Sequence, residues 1–194
     1  AAARPFITHH NALNKDFYLR IATELPLKKL LVGGMEGVYE IGRLFRNEGM
    51  DTKHNPEFTT VELYQAYGDL QDMRHLCENL FREVAKKVVG STTIPFGDKT
   101  LDLGKPFKWV TMVDVVKEAT GIDFSSKDMT FEKAVQLAKE NGIKVEKHWT
   151  SVGFILNAFF EEKCDPYLQE PTFVHSYPIE VSPLTKKEKD NPMF

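Results

Sequence analysis

Two stretches of the chain alternate apolar and polar residues with period 2. VYEIGRLFR at 38–46 and FTTVELYQAY at 58–67 each read as a β-strand with one face turned inward. Between them runs a charged connection, so the three pieces form a strand–loop–strand unit. FYLRI at 17–21 is a shorter aromatic and β-branched run that predicts a strand. Thr23 then stands where an N-cap belongs, before a helix through about Leu31 that Gly33 and Gly34 end, with Pro26 in its first turn. The period changes to 3.6 after Tyr67. Met73, Leu76, Cys77, Leu80, Phe81, Val84, Ala85 and Val88 form one apolar stripe, which predicts a long helix capped by Asp69 and stopped by Gly90.

The second half of the chain is read from its caps and turns. Residues 91–103 predict a turn around Gly97 and Asp98. Thr111 with Asp114 has the spacing of a capping box, and Gly121 closes a short helix. Thr130 opens another helix that ends at Asn141 and Gly142, and Ser151 opens a third through about Cys164. TFVHSYPIEV at 172–181 predicts a strand interrupted by Pro178. Residues 106–165 thus read as mainly helical, the place for an inserted lobe. The fold class is α+β.

Composition narrows the function classes. With 25 basic and 28 acidic residues the net charge is −3, so no overall basic field argues for nucleic-acid binding. Two cysteines provide neither a disulfide framework nor a CxxC metal spacing, and suit a reducing compartment. No run of about 18 apolar residues predicts a membrane span, and the opening ARPFITHHN lacks the apolar core of a signal peptide. A cytoplasmic protein without membrane attachment is expected. His9 and His10 suit a structural role, His75 falls on a polar helix face, and His148 and His175 lack partners at ligand spacing, so no metal site is expected. The start on three alanines and the stop at DNPMF suggest a piece of a longer chain.

The chemistry concentrates in FRNEGMDTKHNPEFT, residues 45–59. A plain hairpin needs a two-residue turn; this connection is long and dense in hydrogen-bonding side chains. Arg46 offers a planar fork for phosphate. Glu48 can accept from an exocyclic amine, His54 and Asn55 add polar groups, and Phe58 offers a stacking face. Together these suit the parts of ATP. The plainer reading is a solvated loop in which Arg46 and Glu48 pair with each other. On the following strand Glu62 and Tyr64 share a face, where a carboxylate beside a tyrosine could take an ammonium or simply be solvated.

GVYEIGRLFRNEGMDTKHNPEFTTVELYQAY resembles the motif 2 region of class II aminoacyl-tRNA synthetases, in the lysyl-tRNA synthetase form FRNEG…HNPEFT…ELY. ARPFITHHNALN, YLRIATEL, LVGG, LDLGKPF, EPTFVHSYP and EVSPL extend the resemblance over nearly the whole chain. It implies a mostly antiparallel sheet flanked by helices, with an incomplete core over residues 1–194, motif 2 at about 38–67 and the small helical insertion at about 106–165. It also implies ATP-dependent activation of L-lysine to lysyl-adenylate and transfer to tRNA(Lys). Arg46 would be the catalytic arginine, on the α-phosphate and the amino acid's carboxylate. Glu48, His54, Asn55 and Phe58 would complete the ATP contacts, and Glu24, Glu62 and Tyr64 would hold lysine with Arg46. Motif 1, motif 3, the magnesium-binding acidic segment and the anticodon-binding OB-fold are not recognised here. Magnesium would therefore be held outside these residues, the partial domain would be inactive alone, apolar surface would be exposed where those motifs pack, and the longer protein would be a homodimer. The sequence departs from the usual PELYLK by carrying Thr23 for Pro and Pro26 for Tyr, and Gly37 replaces a basic residue. Other readings are the paralogue that modifies elongation factor P, aspartyl- or asparaginyl-tRNA synthetase, and a non-catalytic synthetase-like binding module. ELYQAY and LDLGKPF favour the lysyl form over the paralogue, and HNPEF favours it over the aspartyl and asparaginyl forms.

Overall fold

The computed structural model describes residues 4–52, 54–189, 191, 193 and 194. Lys53, one of the cations of the charged connection, lies outside them, as do the three opening alanines. The chain divides into two compact units, 1–72 and 73–194.

The first unit opens on a hairpin of β1 (Ile7–His10) and β2 (Lys15–Tyr18), paired antiparallel from Ile7 with Tyr18 to His10 with Lys15. His9 bonds Asp16 at 2.8 Å, and the His10 ring lies tilted against Phe17 with centroids 5.2 Å apart, so each histidine contacts the opposite strand of the hairpin. The expected strand at 17–21 is therefore displaced. Its first half closes the hairpin and Leu19 N–H still donates to the Phe6 carbonyl at 3.0 Å, while Arg20 runs beside the next strand, where its carbonyl accepts from Phe45 N–H at 2.9 Å. Helix α1 (Glu24–Val32) follows. β3 (Gly37–Phe45) and β4 (Glu57–Gln65) then form a nine-pair antiparallel ribbon, as the alternation predicts. One face of the ribbon is half-buried and carries Glu40, Gly42, Leu44, Phe58, Glu62 and Tyr64. The other exposes Tyr39, Ile41 and Val61 and carries the Arg43–Glu57 ion pair at one end. Leu27 and Leu44 are the buried apolar side chains of this unit among the described residues.

Asp69 caps α2 (Leu70–Val89) as expected: its carboxylate accepts from Gln71 and Asp72 N–H, and Asp72 returns the bond to Asp69 N–H. In the second unit, β5 (Thr93–Phe96) and β6 (Lys99–Asp102) make the expected hairpin, with Gly97 at φ 62°. β7 (Lys108–Thr111) leads into α3 (Met112–Thr120), followed by α4 (Phe131–Glu140) and α5 (Val152–Lys163). β8 (Thr172–His175) pairs with β7 in parallel. It is shorter than the expected 172–181 because Ser176 turns into the left-handed region at φ 57°, two residues before Pro178. The core gathers Met112, Val116, Ile155, Leu156 and Phe159 from α3 and α5, with Ala134 and Ala138 from α4, at 0–2% exposure. Cys164 closes this core, and burial pushes its thiol up to about 11; the half-buried Cys77 is raised for the same reason, so both stay protonated at neutral pH.

The mixed α and β content is as expected, and three of the four strand pairs are antiparallel. Among the described residues, however, the strands form four separate two-stranded sheets. Sequence alternation reports that a strand has two unlike faces; it does not report how many neighbours the strand has. Among these residues no helix is long and apolar enough to cross a membrane.

The side-chain cap expected at α3 is formed: Thr111 Oγ1 accepts from Asp114 N–H at 3.1 Å and donates to Asp114 Oδ2 at 2.6 Å, so the carboxylate meets the hydroxyl and not the Thr111 backbone N–H of a full capping box. Thr111→Ala removes both bonds from a helix that supplies four buried side chains to the core. We expect a loss of about 1 kcal/mol of stability, read as a lower urea midpoint with an unchanged slope.

Candidate functional site

The charged connection is closed at its base by backbone. Arg46 N–H donates to the Pro56 carbonyl at 2.9 Å, and Asn47 N–H donates to the Arg4 carbonyl at 2.8 Å. Inside this frame lies a cavity of about 320 Å³ lined by Arg46, Glu48, Gly49, His54, Asn55, Pro56 and Phe58. All five residues expected to contact ATP therefore line one concavity. The Arg46 guanidinium sits 5.4 Å from the centroid of the Phe58 ring, and its Nε approaches the Ile21 carbonyl at 3.4 Å. Arg46 and Glu48 are both exposed and form no ion pair with each other among the described residues, so the pairing that the plainer reading expected is not formed. The fork and the carboxylate both remain available to a ligand.

Asp51, which the sequence reading did not single out, holds His54 within the loop. Its carboxylate accepts from His54 N–H and meets His54 Nδ1, each at 2.9 Å. The three-residue spacing of an Asp before a His is the signal that could have revealed it, since short acidic side chains commonly bond the backbone ahead of them. Asn55 is fixed in turn by its amide donating to the Glu57 carbonyl at 2.6 Å. Arg20 was also missed. Its guanidinium pairs with Glu40 and donates to the Arg43 carbonyl, lying so close on β3 that a Cβ at Gly42 would stand 2.0 Å from its Nη2. No local pattern announces that contact.

The second cluster lies on the half-buried face of the ribbon and on α1. Tyr64 hydroxyl donates to Glu62 Oε1 at 2.5 Å, so the pair that period 2 placed together is in contact. The Thr23 hydroxyl donates to Glu62 Oε2 at 2.6 Å, with Thr23 N–H behind it at 3.4 Å. Thr23 does precede α1, but its hydroxyl makes no capping bond. The cap expected from sequence is thus corrected: Thr23 sits at φ −112° and ψ 1°, outside the extended region from which Thr111 and Thr130 cap their helices, and its hydroxyl is spent as a donor to the carboxylate on β4. Burial, then the bond to Glu62, raises the Tyr64 hydroxyl well above its ordinary range, which keeps it a donor. Glu24 is not brought against Glu62. It pairs with Lys28 at 2.5 Å, and the Lys28 ammonium lies 5.4 Å from the Tyr64 ring centroid.

A phosphate-type fork beside a carboxylate and an aromatic ring can hold a nucleotide. A carboxylate held by hydroxyls can hold an ammonium. Among the described residues no group of three or more His, Cys, Asp or Glu is placed to hold a metal ion. The family model described as class II tRNA synthetases (D, K and N) matches residues 1–193. Lysine–tRNA ligases of Streptococcus gordonii and Streptococcus thermophilus are each 56% identical to the chain over all 194 of its residues, and one of Streptococcus pyogenes serotype M5 is 57% identical. The chain spans 39% of the length of each of these relatives. Matched almost from end to end, it belongs to the class II tRNA synthetases of the D, K and N group.

Proposed function

We propose that the chain is part of a lysine–tRNA ligase, in which the loop cavity takes ATP and the ribbon face with α1 takes L-lysine. The observation that carries this reading is the convergence of Arg46, Glu48, His54, Asn55 and Phe58 on one cavity. The names of the relatives and the Glu62–Tyr64 contact support lysine as the amino acid. Its core is then an incomplete class II core with motif 2 at about 38–67 and an inserted lobe at about 106–165. The longer protein acts on tRNA(Lys) as a cytoplasmic homodimer.

The reaction needs no nucleophilic side chain. Lysine's own carboxylate oxygen attacks the α-phosphorus of ATP, the bond to the bridging oxygen breaks, and pyrophosphate leaves. The product is lysyl-adenylate, from which the tRNA's terminal adenosine takes the lysyl group. Arg46 brings the two anions together and offsets the charge that develops between them. Glu48 accepts from the adenine amine, and Phe58 gives the base an apolar face. Glu62, Tyr64 and Glu24 select a cationic side chain and an α-ammonium. Magnesium, which the family uses with ATP, has no donor set of three or more such groups among the described residues, and no step here depends on it.

Calorimetry with non-hydrolysable aminoacyl-adenylate analogues tests the reading. The lysyl form is expected to bind in preference to the β-lysyl, aspartyl and asparaginyl forms. Preference for the β-lysyl form would favour the protein-modifying paralogue, and preference for either of the others would overturn lysine. Absence of all binding would overturn a formed site in this chain.

A further inference from the structure

Three carboxylates crowd the ribbon and α1, and they are compensated unequally. Glu40 stands directly across from Glu62 in the β3–β4 register, a like-charge pair that disfavours the ribbon unless it is offset. Arg20 offsets Glu40, and Lys28 pairs with Glu24. Glu62 makes no ion pair within 4 Å among the described residues. What touches it is neutral: the Thr23 hydroxyl and N–H on Oε2, and the Tyr64 hydroxyl on Oε1. A cationic partner would orient a carboxylate and cancel its charge together. Hydroxyl donors orient it and leave the charge in place.

Thr23 is the less expected of these donors. It is 5% exposed and sits at the N-cap position, where a threonine hydroxyl normally bonds a backbone N–H of the first turn for about 1 kcal/mol. Here α1 forgoes that bond, and the hydroxyl reaches a strand 39 residues away in sequence. A proline, the residue of the usual form at this position, could supply neither the hydroxyl nor the N–H.

We propose that Thr23 is a positioning residue of the lysine site: its hydroxyl fixes Glu62 without neutralising it, leaving one negative charge aimed at the ammonium of an incoming amino acid. The inference rests on the reading of Glu62 as an ammonium acceptor. The electrostatics agree with the geometry. The Thr23 hydroxyl is the largest influence holding the Glu62 carboxyl below its ordinary range, followed by Tyr64, with a smaller contribution from the Lys28 charge. The charged groups around Glu62 are Glu40 with Arg20 on the ribbon side and Glu24 with Lys28 on α1.

The sign follows. A carboxyl whose titration is depressed stays charged to lower pH, so removing its donor raises the pH at which ammonium binding is lost. The test compares the wild-type chain with Thr23→Val and Thr23→Ser. The Glu62 carboxyl is titrated by carbon NMR in the free chain, and the lysyl-adenylate analogue is titrated calorimetrically from pH 4.5 to 7.5. Thr23→Val is expected to raise the Glu62 titration midpoint and to weaken analogue binding about tenfold, the scale of one hydrogen bond to a charged group. Thr23→Ser, which keeps the hydroxyl, is expected to restore both. A Val variant that titrates like wild type would overturn the proposal, and so would a Ser variant as defective as Val, since that indicates packing. Wild-type chain that prefers the aspartyl or asparaginyl analogue would overturn the lysine reading; the Glu62 titration, which needs no ligand, would still decide whether Thr23 governs that carboxylate.

Discussion

Arg46→Ala is expected to weaken binding of the lysyl-adenylate analogue about a hundredfold, with Arg46→Lys recovering little of it. The guanidinium lines the cavity, rests against the Phe58 ring and has its Nε directed at the Ile21 carbonyl, so it is held in place before a ligand arrives. A single preorganised donor at a developing oxyanion is worth roughly 3 kcal/mol, which is about two powers of ten in affinity for a ligand that resembles the activated state. Lysine has no planar fork and cannot replace a bidentate grip on phosphate. The loop should survive the change, because its closing bond to the Pro56 carbonyl comes from the Arg46 backbone. Calorimetry at constant ionic strength reads the affinity, and circular dichroism reads the fold. An alanine variant that is intact and binds within threefold of wild type would remove Arg46 from the site.

Much of this site was legible in the sequence because its residues are close together in it. The loop's five candidate contacts lie within 13 positions, from Arg46 to Phe58, between two strands whose alternation fixes which face each side chain takes. Once the ribbon pairs in register, those residues have little choice but to meet. The same locality made the helices readable. Asp69, Thr111 and Thr130 each cap the helix they precede, through bonds spanning two or three residues.

Legibility failed where backbone geometry or a distant contact, and not the local pattern, decided the bond. Thr23 and Ser151 both stand at N-cap positions, yet neither side chain caps its helix. Thr23 is drawn to Glu62. Ser151 Oγ is buried without a hydrogen-bond partner among the described residues, and we find no physical account of it. The run FYLRI reads as one strand because its composition is uniform, but its two halves answer to different neighbours: Phe17 and Tyr18 to β1, and Arg20 to β3. The parallel pairing of Lys108 with Thr172 joins positions 64 residues apart, which no window of local pattern spans. Arg20 was invisible for a related reason. Its place on Gly42 requires both the absence of a side chain there and a chain crossing 22 residues earlier.

Glu62→Gln is expected to weaken binding of L-lysine about a hundredfold while leaving ATP binding within about twofold of wild type. The substitution keeps shape and removes charge, so it separates recognition of an ammonium from the packing of the ribbon face. Truncating one side of a desolvated charge pair typically costs 2–5 kcal/mol. The lower half of that range applies here, because Glu62 is half-buried and its charge is partly solvated. The amide brings a second penalty. Both carboxylate oxygens now accept, from Thr23 and from Tyr64, whereas a glutamine offers one acceptor and turns its NH₂ toward the other hydroxyl. ATP is expected to be indifferent, since no residue lining the loop cavity bonds Glu62 among the described contacts. The two ligands are titrated separately, because a joint titration would report their coupling as well. Equal loss of lysine and ATP would mean that Glu62 holds the ribbon together and does not read the amino acid. A selective loss of lysine would place the ammonium at Glu62 and make the neutral hydroxyls around it the reason that its charge is still available.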